Sequence, residues 1–453
     1  MKGSDNQALN HQGYTEQSGQ LMIEELPAAE IAAKAGTPVY VYSVNQLLSN
    51  MENYKKYFRD PRGQLKTRVL YASKAFNIIA MLELVSKAGL GLDVVSAGEL
   101  YTAIRAGFDM SKVVFHGNVK SETELRMALE NRVGTIVLDS LHEARKLRRI
   151  ALQMNAEGKL PADAHLSTLL RVNPGVEAHT HAYIVTANID SKFGVLIDSL
   201  DEILQISRCF EDISAMISFD GFHAHIGSQI FDPAAFEAEI NVMSRFIAEF
   251  EKVSGSVVKT LDLGGGFAAW YTADDAPIEI ETVCRTILKA VESASDQYGL
   301  HLENLWIEPG RSITANASCT LYEVESVKHT PNKTYVFVDG GMNDNIRPAL
   351  YEADYTCDLA CRMNEEKSET VTVAGKCCES GDIIVREDVL PPALPGDLLA
   401  VYTTGAYGYS MASHYNKLPV PPVVFVNGSH ARLVVKPENL EDLIRNETDE
   451  VMI

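Results

Sequence analysis

From about residue 65 to 311, short β-branched or apolar runs alternate with longer stretches whose apolar residues recur every three or four positions. That is the rhythm of βα units, in which each strand of a parallel sheet is followed by a helix. Eight runs can be counted: RVLYASK, LGLDVVS, VVFHGN, GTIVLDS, STLLRVN, FDGFHAHIGS, TLDLGGG and LWIEPGR. Segments such as SETELRMALENRV and PAAFEAEINVMSRFIAEFEKVSG separate them with amphipathic helical spacing. Eight strands, each followed by a helix, is the count that closes a (β/α)8 TIM barrel, so the predicted class is α/β.

After Arg311 the rhythm changes. CTLYEVESVKH, KTYVFVDGG, ETVTVAGK, DLLAVYTTG and PVVFVNGSHARLVV read as strands without long helices between them, and PNK, LPG and NGS mark turns. This predicts a C-terminal antiparallel β domain. The segment ending in TPVYVYS is expected to pair with it. The predicted division is an N-terminal segment 1–43 that joins the β domain, a barrel over 44–312, and the β domain over 313–453.

Composition narrows the function classes. At 453 residues and 46% hydrophobic content the chain can fill two cores. Lys and Arg number 40 against 61 Asp and Glu, a net charge of -21, so a nucleic-acid backbone would be repelled over most of the surface. No stretch approaches the roughly 18 apolar residues that span a bilayer, and the start MKGSDNQALNHQGYTEQSGQ is polar, which points to the cytoplasm and away from a membrane. The seven cysteines are scattered without a CxxC pair and read as reduced thiols. Cys357 and Cys361 stand four apart, and His179 and His181 two apart, but neither pair has further ligands at a usual spacing, so no metal is predicted.

The chemistry-bearing residues gather at the ends of the eight runs: Lys74, Asp93 and Ser96, His116 and Asn118, Asp139, Arg171 and Asn173, His225 and Ser228, Gly264 to Gly266, Glu308 and Arg311. The C-terminal ends of barrel strands form the catalytic face. YASKAF puts Lys74 after a strongly apolar strand, where desolvation would favour the free amine that a Schiff base needs; taken alone, such a lysine is more often a surface one. LDLGGGF lacks both the GxGxxG spacing and the lysine of a P-loop, so its three glycines suit a phosphate cup late in a barrel, or else a plain tight turn. IEPGR sets Glu308 and Arg311 around a Pro-Gly turn. A carboxylate there can keep a pyridine nitrogen protonated and the guanidinium can bind a carboxylate or phosphate, the alternative being a local ion pair.

GFHAHIGSQ carries His223 and His225, which are expected to project to opposite faces of one strand, with His225 stacking on a cofactor ring, Ser228 donating to phosphate and His223 a core histidine. In AGKCCESGD a thiol, Cys378, adjoins a carboxylate, Glu379, a pair suited to delivering a proton to a carbanion, while Cys377 reads as a buried thiol. MNDNIRPALY sets Arg347 and Tyr351 one helical turn apart, and GAYGYSMASHYN adds Tyr407 in a glycine-flanked turn. An arginine and two tyrosine hydroxyls can recognise a carboxylate.

YASKAF, LDVVSAGEL, RVNPGVEAHTH, DSKFGV, HIGSQIF, LDLGGGF, EPGRS, VDGGMNDNIRPALY, CCESGD and GAYGYSMASHYN, in this order from about residue 35 to 437, resemble the signatures of the group IV, or fold type III, pyridoxal-phosphate decarboxylases, and among them of the diaminopimelate decarboxylases. The resemblance implies a barrel of the alanine-racemase type and a head-to-tail homodimer whose shared sites receive Cys378 and Glu379 from the partner chain. It implies decarboxylation of meso-diaminopimelate to L-lysine with pyridoxal 5'-phosphate. Lys74 would carry the cofactor as a Schiff base. Gly264, Gly265, Gly266, Gly310, Arg311 and Tyr407 would hold it, with Glu308 at its nitrogen. Arg311, Arg347, Tyr351, Glu379 and Tyr407 would hold the substrate, and Cys378 would donate the proton. Departures are small: Val119 stands where asparagine is common, and Ala268, Ala269 and Trp270 where a glycine usually follows GGGF. The rival substrates on this fold, ornithine, arginine and lysine, lack a second carboxylate.

Overall fold

In the computed structural model, residues 13–160, 163–176 and 191–448 are described; His179 and His181 lie outside them. The chain forms two units, one of residues 50–268 and 277–310, the other of residues 1–49, 269–276 and 311–453.

The first unit is a closed barrel of eight parallel strands: Lys66–Ala72, Gly91–Val94, Val113–Phe115, Thr135–Leu138, Leu166–Asn173, Ile217–His223, Thr260–Asp262 and Asn304–Ile307. Closure comes from pairing the eighth strand with the first, Asn304 opposite Lys66 through Ile307 opposite Val69. Each of the eight runs therefore contributes one strand. The strands stop before the polar run ends, which leaves Lys74, Ser228, Gly264 to Gly266 and Glu308 on the connecting turns at one end of the barrel.

Local chemistry starts the helices. Ser121 accepts from the N–H of Glu124, whose carboxylate returns to Ser121, a capping box at the head of Glu122–Glu130. Ser96 and Ser140 cap Ala97–Arg105 and Leu141–Ala156 more simply, each side chain accepting from the N–H three residues on. Inside the barrel, Leu70, Val114, Val137, Leu169 and Trp306 pack as one apolar layer. Two residues further along the same strands stand Ala72, His116, Asp139, Arg171 and Glu308, because a strand returns to the same face every second residue. The floor is apolar and the level above it polar.

The second unit is built on the long strand Ser318–His329, paired antiparallel with Thr334–Val338, Leu398–Tyr402 and Val39–Ser43. The predicted antiparallel sheet is in fact mixed, since Val39–Ser43 runs parallel to Val423–Asn427 and Thr334–Val338 parallel to Glu369–Ala374. Both parallel pairs join strands separated by long stretches of chain, the condition parallel pairing requires. Trp270, one of the departures after GGGF, is buried in this unit's core with Tyr14, Val41, Leu321 and Tyr402. No helix among the described residues is long and apolar enough to cross a membrane.

Leu169→Ala should open a void in the apolar layer and cost about 2–5 kcal/mol, whereas Val257→Ala, at a side chain 59% exposed, should stay within about 0.5 kcal/mol. Urea unfolding followed by intrinsic fluorescence measures both, and equal midpoints for the two variants would contradict this account of the core.

Candidate active site

The polar end of the barrel is organised around Glu308, a carboxyl that is only 6% exposed. His116 Nε2 lies 2.7 Å from Oε1 and His223 Nε2 3.3 Å from Oε2. Burial pushes the Glu308 carboxyl up, but the two imidazoles more than offset it and hold the group well below the usual range, so it is ionised. His223 is pushed down to about 4, chiefly by burial, and is therefore neutral; its contact with Glu308 selects the tautomer with the proton on Nε2. His116, His223 and Glu308 also form the one group of three potential metal ligands among the described residues. The 2.7 Å approach of His116 to Glu308 is closer than the roughly 3.3 Å between donors around a tetrahedral ion with bonds near 2 Å, so this pair stands too close to share such an ion.

The expectation that His223 and His225 face opposite ways is wrong. Residues two apart on a strand share a face. Phe222, between Gly221 and His223, packs instead against Phe246 and Phe250 of the helix Ala234–Ser254. His223 is thus not merely a core histidine; it belongs to the Glu308 cluster. His225 Nδ1 accepts from the N–H of Gly265 at 3.2 Å, which fixes the ring's tilt, and burial with Lys74 and Arg171 nearby keeps it neutral.

Around this centre stand further carboxyls. Asp93 is raised by burial, and Asp262 is raised well above its ordinary range by burial and by Glu308, so Asp262 is protonated beside the ionised Glu308. Both shifts run toward the neutral form, as burial and a like charge at short range require.

Lys74 lies on the turn Ser73–Ala75 and is exposed, so its apolar strand sets where the backbone ends and does not bury the amine. The turn is tethered by Glu99, which accepts from Ser73 Oγ at 3.1 Å and from the N–H of Val95 at 2.7 Å. Burial, with Asp93 nearby, pushes Glu99 up to about 7. Gly264 and Gly266 have φ of +63° and +105°, and a Cβ on Gly265 would stand 2.5 Å from the Glu308 carbonyl oxygen, so side chains are excluded from this turn. Its anion-binding capacity is smaller than three glycines suggest, because the N–H groups of Gly264 and Gly265 already reach Asp262 and His225. Gly310 packs its backbone against Ala72, and Ser228 is exposed on the segment after the sixth strand.

In the second unit Arg311 Nη1 donates to the Tyr271 hydroxyl at 2.9 Å and its guanidinium stands 4.9 Å from the centre of the Tyr407 ring. Arg347, buried at the head of the short helix Arg347–Tyr351, donates from Nε to the Tyr355 hydroxyl at 2.8 Å. Its guanidinium lies 5.5, 5.8 and 5.6 Å from the rings of Tyr271, Tyr351 and Tyr407. Two positive charges therefore share the faces of Tyr271 and Tyr407, an arrangement that attracts an anion. Tyr407 has φ +60°, a strained conformation outside glycine. Cys378 and Glu379 are exposed on a turn, while Cys377 is buried.

Sequence reasoning missed Tyr271 and Tyr355 and the tie of His116 and His223 to Glu308. The spacing of two between His223 and His225 was a usable signal for the histidines. Nothing in the local pattern marked the tyrosines.

The family model for the pyridoxal-binding domain of pyridoxal-dependent decarboxylases matches residues 44–315. A diaminopimelate decarboxylase of Bacillus subtilis is 46% identical over 432 residues, 95% of either chain. One of Staphylococcus aureus is 43% identical over 95% of this chain and 98% of its own. The crystal structure of the M. jannaschii diaminopimelate decarboxylase with L-lysine superposes with a TM-score of 0.89 at 32% identity, covering 96% of this chain and 98% of that one.

The state of His223 has a pH signature. The unfolded imidazole takes a proton near pH 6.5, the folded one only near 4, so stability present above 6.5 is lost as the pH falls through that window, by up to about 1.4 kcal/mol per pH unit. His223→Gln keeps a donor for Glu308 and removes the titration. Its urea midpoint should fall less between pH 7 and pH 5 than the parent's; equal falls would refute the assignment.

Proposed function

Because this chain belongs to the diaminopimelate decarboxylases of the pyridoxal-dependent family, we infer that it cleaves one carboxylate from meso-2,6-diaminopimelate with pyridoxal 5'-phosphate as cofactor, releasing L-lysine and carbon dioxide. The bond from carbon to the carboxylate breaks, its electron pair remains with the carbon, and a proton takes the vacated position. When bound, the cofactor supplies the electron sink that makes this bond breakable.

The residues present fit that cofactor. An enclosed, ionised carboxylate is what a protonated pyridine nitrogen requires, and a turn that excludes side chains lets a phosphate approach the backbone. In this reading Lys74 holds the cofactor covalently, Glu308 faces its nitrogen and His225 lies on its ring. Ser228, Gly264, Gly265, Gly266, Gly310, Arg311 and Tyr407 complete its seat. His116 and His223 keep Glu308 charged and aimed. Arg311, Arg347, Tyr351, Tyr407 and Glu379 bind and orient the substrate, and the Cys378 thiol delivers the proton.

The observation that carries the substrate assignment is the convergence of Arg311 and Arg347 on Tyr271 and Tyr407. Diaminopimelate has a second carboxylate to offer these guanidiniums. Ornithine, which has none, offers these guanidiniums no anion.

We further propose that the protein works as a homodimer with shared sites. Support comes from the exposure of Cys378, Glu379 and Tyr351, groups that the reading places against substrate. Its seven thiols are free, as befits the reducing cytoplasm.

With pyridoxal phosphate and meso-diaminopimelate the protein should release carbon dioxide and lysine, and with ornithine far less. Arg347→Ala should raise KM for diaminopimelate about ten- to a hundredfold, the worth of charged hydrogen bonds near 1.5–3 kcal/mol. A preference for ornithine would sink the substrate assignment.

Lys74→Ala should lose both turnover and the visible-edge absorbance of the bound cofactor. Cys378→Ala should keep the absorbance and lose most turnover. If sites are shared, mixing the two variants restores part of the turnover, whereas a mixture as inactive as its components would count against sharing.

A further inference from the structure

The turn that presents Cys378 has an unusual construction. Backbone N–H groups of two successive residues are held by side chains that come from different directions. The N–H of Cys377 donates to Asp382 Oδ2 at 2.7 Å, and the N–H of Cys378 donates to Asn416 Oδ1, also at 2.7 Å. Asp382 is 3% exposed and its other oxygen accepts from the N–H of Met342 at 2.6 Å, in the loop that leads into Arg347. Contact is so close that a Cβ on Gly375 would stand 2.4 Å from the same carboxylate. Asn416 reaches across with a left-handed backbone, φ 54° and ψ 22°. The Cys377 thiol is anchored 3.6 Å from Asn343 Oδ1, and the Asn343 carbonyl accepts from the N–H of Ser413 at 2.8 Å. Three segments, around 341–347, 377–382 and 413–416, are thereby tied at the cysteine pair.

We propose that Asn416 and Asp382 are positioning residues for the Cys378 thiol: together they fix the two successive peptide units that lead into Cys378, so that an exposed side chain on a turn has one direction. The inference rests on the reading of Cys378 as the thiol that delivers the proton. An irregular turn carries no strand ladder to hold it, and its N–H groups need acceptors. Here Asp382 also accepts from Met342, in the loop that leads into Arg347, so that loop and the Cys378 turn share one acceptor. Misplacement of a reacting group by about 1 Å costs up to about a hundredfold in rate, which is what such fixing prevents.

The test separates the acceptor oxygen of Asn416 from its backbone conformation. Asn416→Gly keeps the left-handed conformation and deletes the acceptor; Asn416→Asp keeps an acceptor. In the holoenzyme, Asn416→Gly should lower kcat on meso-diaminopimelate about tenfold with KM within about threefold, and change the rate of Cys378 alkylation by iodoacetamide, mapped by mass spectrometry, by threefold or more. Asn416→Asp should hold both close to the parent. Asp382→Asn, which turns an amide N–H toward one of two backbone donors, should repeat the glycine result. Alkylation in Asn416→Gly at the parental rate, or Asn416→Asp impaired as far as Asn416→Gly, overturns the proposal. Full turnover in Cys378→Ala would instead remove the proton-delivery reading, and the alkylation rates would still decide the positioning claim.

Discussion

Pairing of the last barrel strand with the first is the constraint on which the candidate site depends. Asn304–Ile307 lies beside Lys66–Val69, and the N–H of Ala72 donates to the carbonyl of Pro309. Lys74 and Glu308 are far apart in sequence, and this closure sets the turns that carry them side by side. A sheet that failed to close would leave both turns intact and the chemistry absent. Closure also forces the polar ends of all eight strands to one rim, because parallel strands share a direction.

At that rim the physics is a competition for charge. Three carboxyls, Asp93, Asp262 and Glu308, are buried, and burial pushes all three toward the neutral form. Of the three, Glu308 is the one with two imidazole contacts, so it is held low while the other two are raised. A neutral imidazole such as His223 contributes to this, since an N–H donor stabilises a carboxylate without itself being charged. The second unit solves the opposite problem: Arg311 and Arg347 are like charges, made tolerable by tyrosine faces and hydroxyls.

Much of this was legible in the residues. The eight βα repeats, the capped helices, the Lys74 turn, the glycine turn and the Glu308–Arg311 pair all follow from patterns a few residues long, and their motifs already resembled a decarboxylase family. Less legible were the parallel pairings of the β sheet, where Val39–Ser43 meets Val423–Asn427 across almost the whole chain. Equally hidden were Tyr271, Tyr355, Asp382 and Asn416, which are unremarkable in their local sequence and matter only through what they touch.

What the sequence determined by itself is therefore the set of elements and the chemistry at their ends, because strand period, helix caps and turn residues are local consequences of the backbone. Only the tertiary structure decided which carboxyl keeps its charge, that His223 joins His225 on the inner face, and how the exposed Lys74 and Cys378 are tethered. Those outcomes depend on burial and on contacts between residues distant in the chain, and neither quantity is defined until the barrel has closed and the sheet has paired.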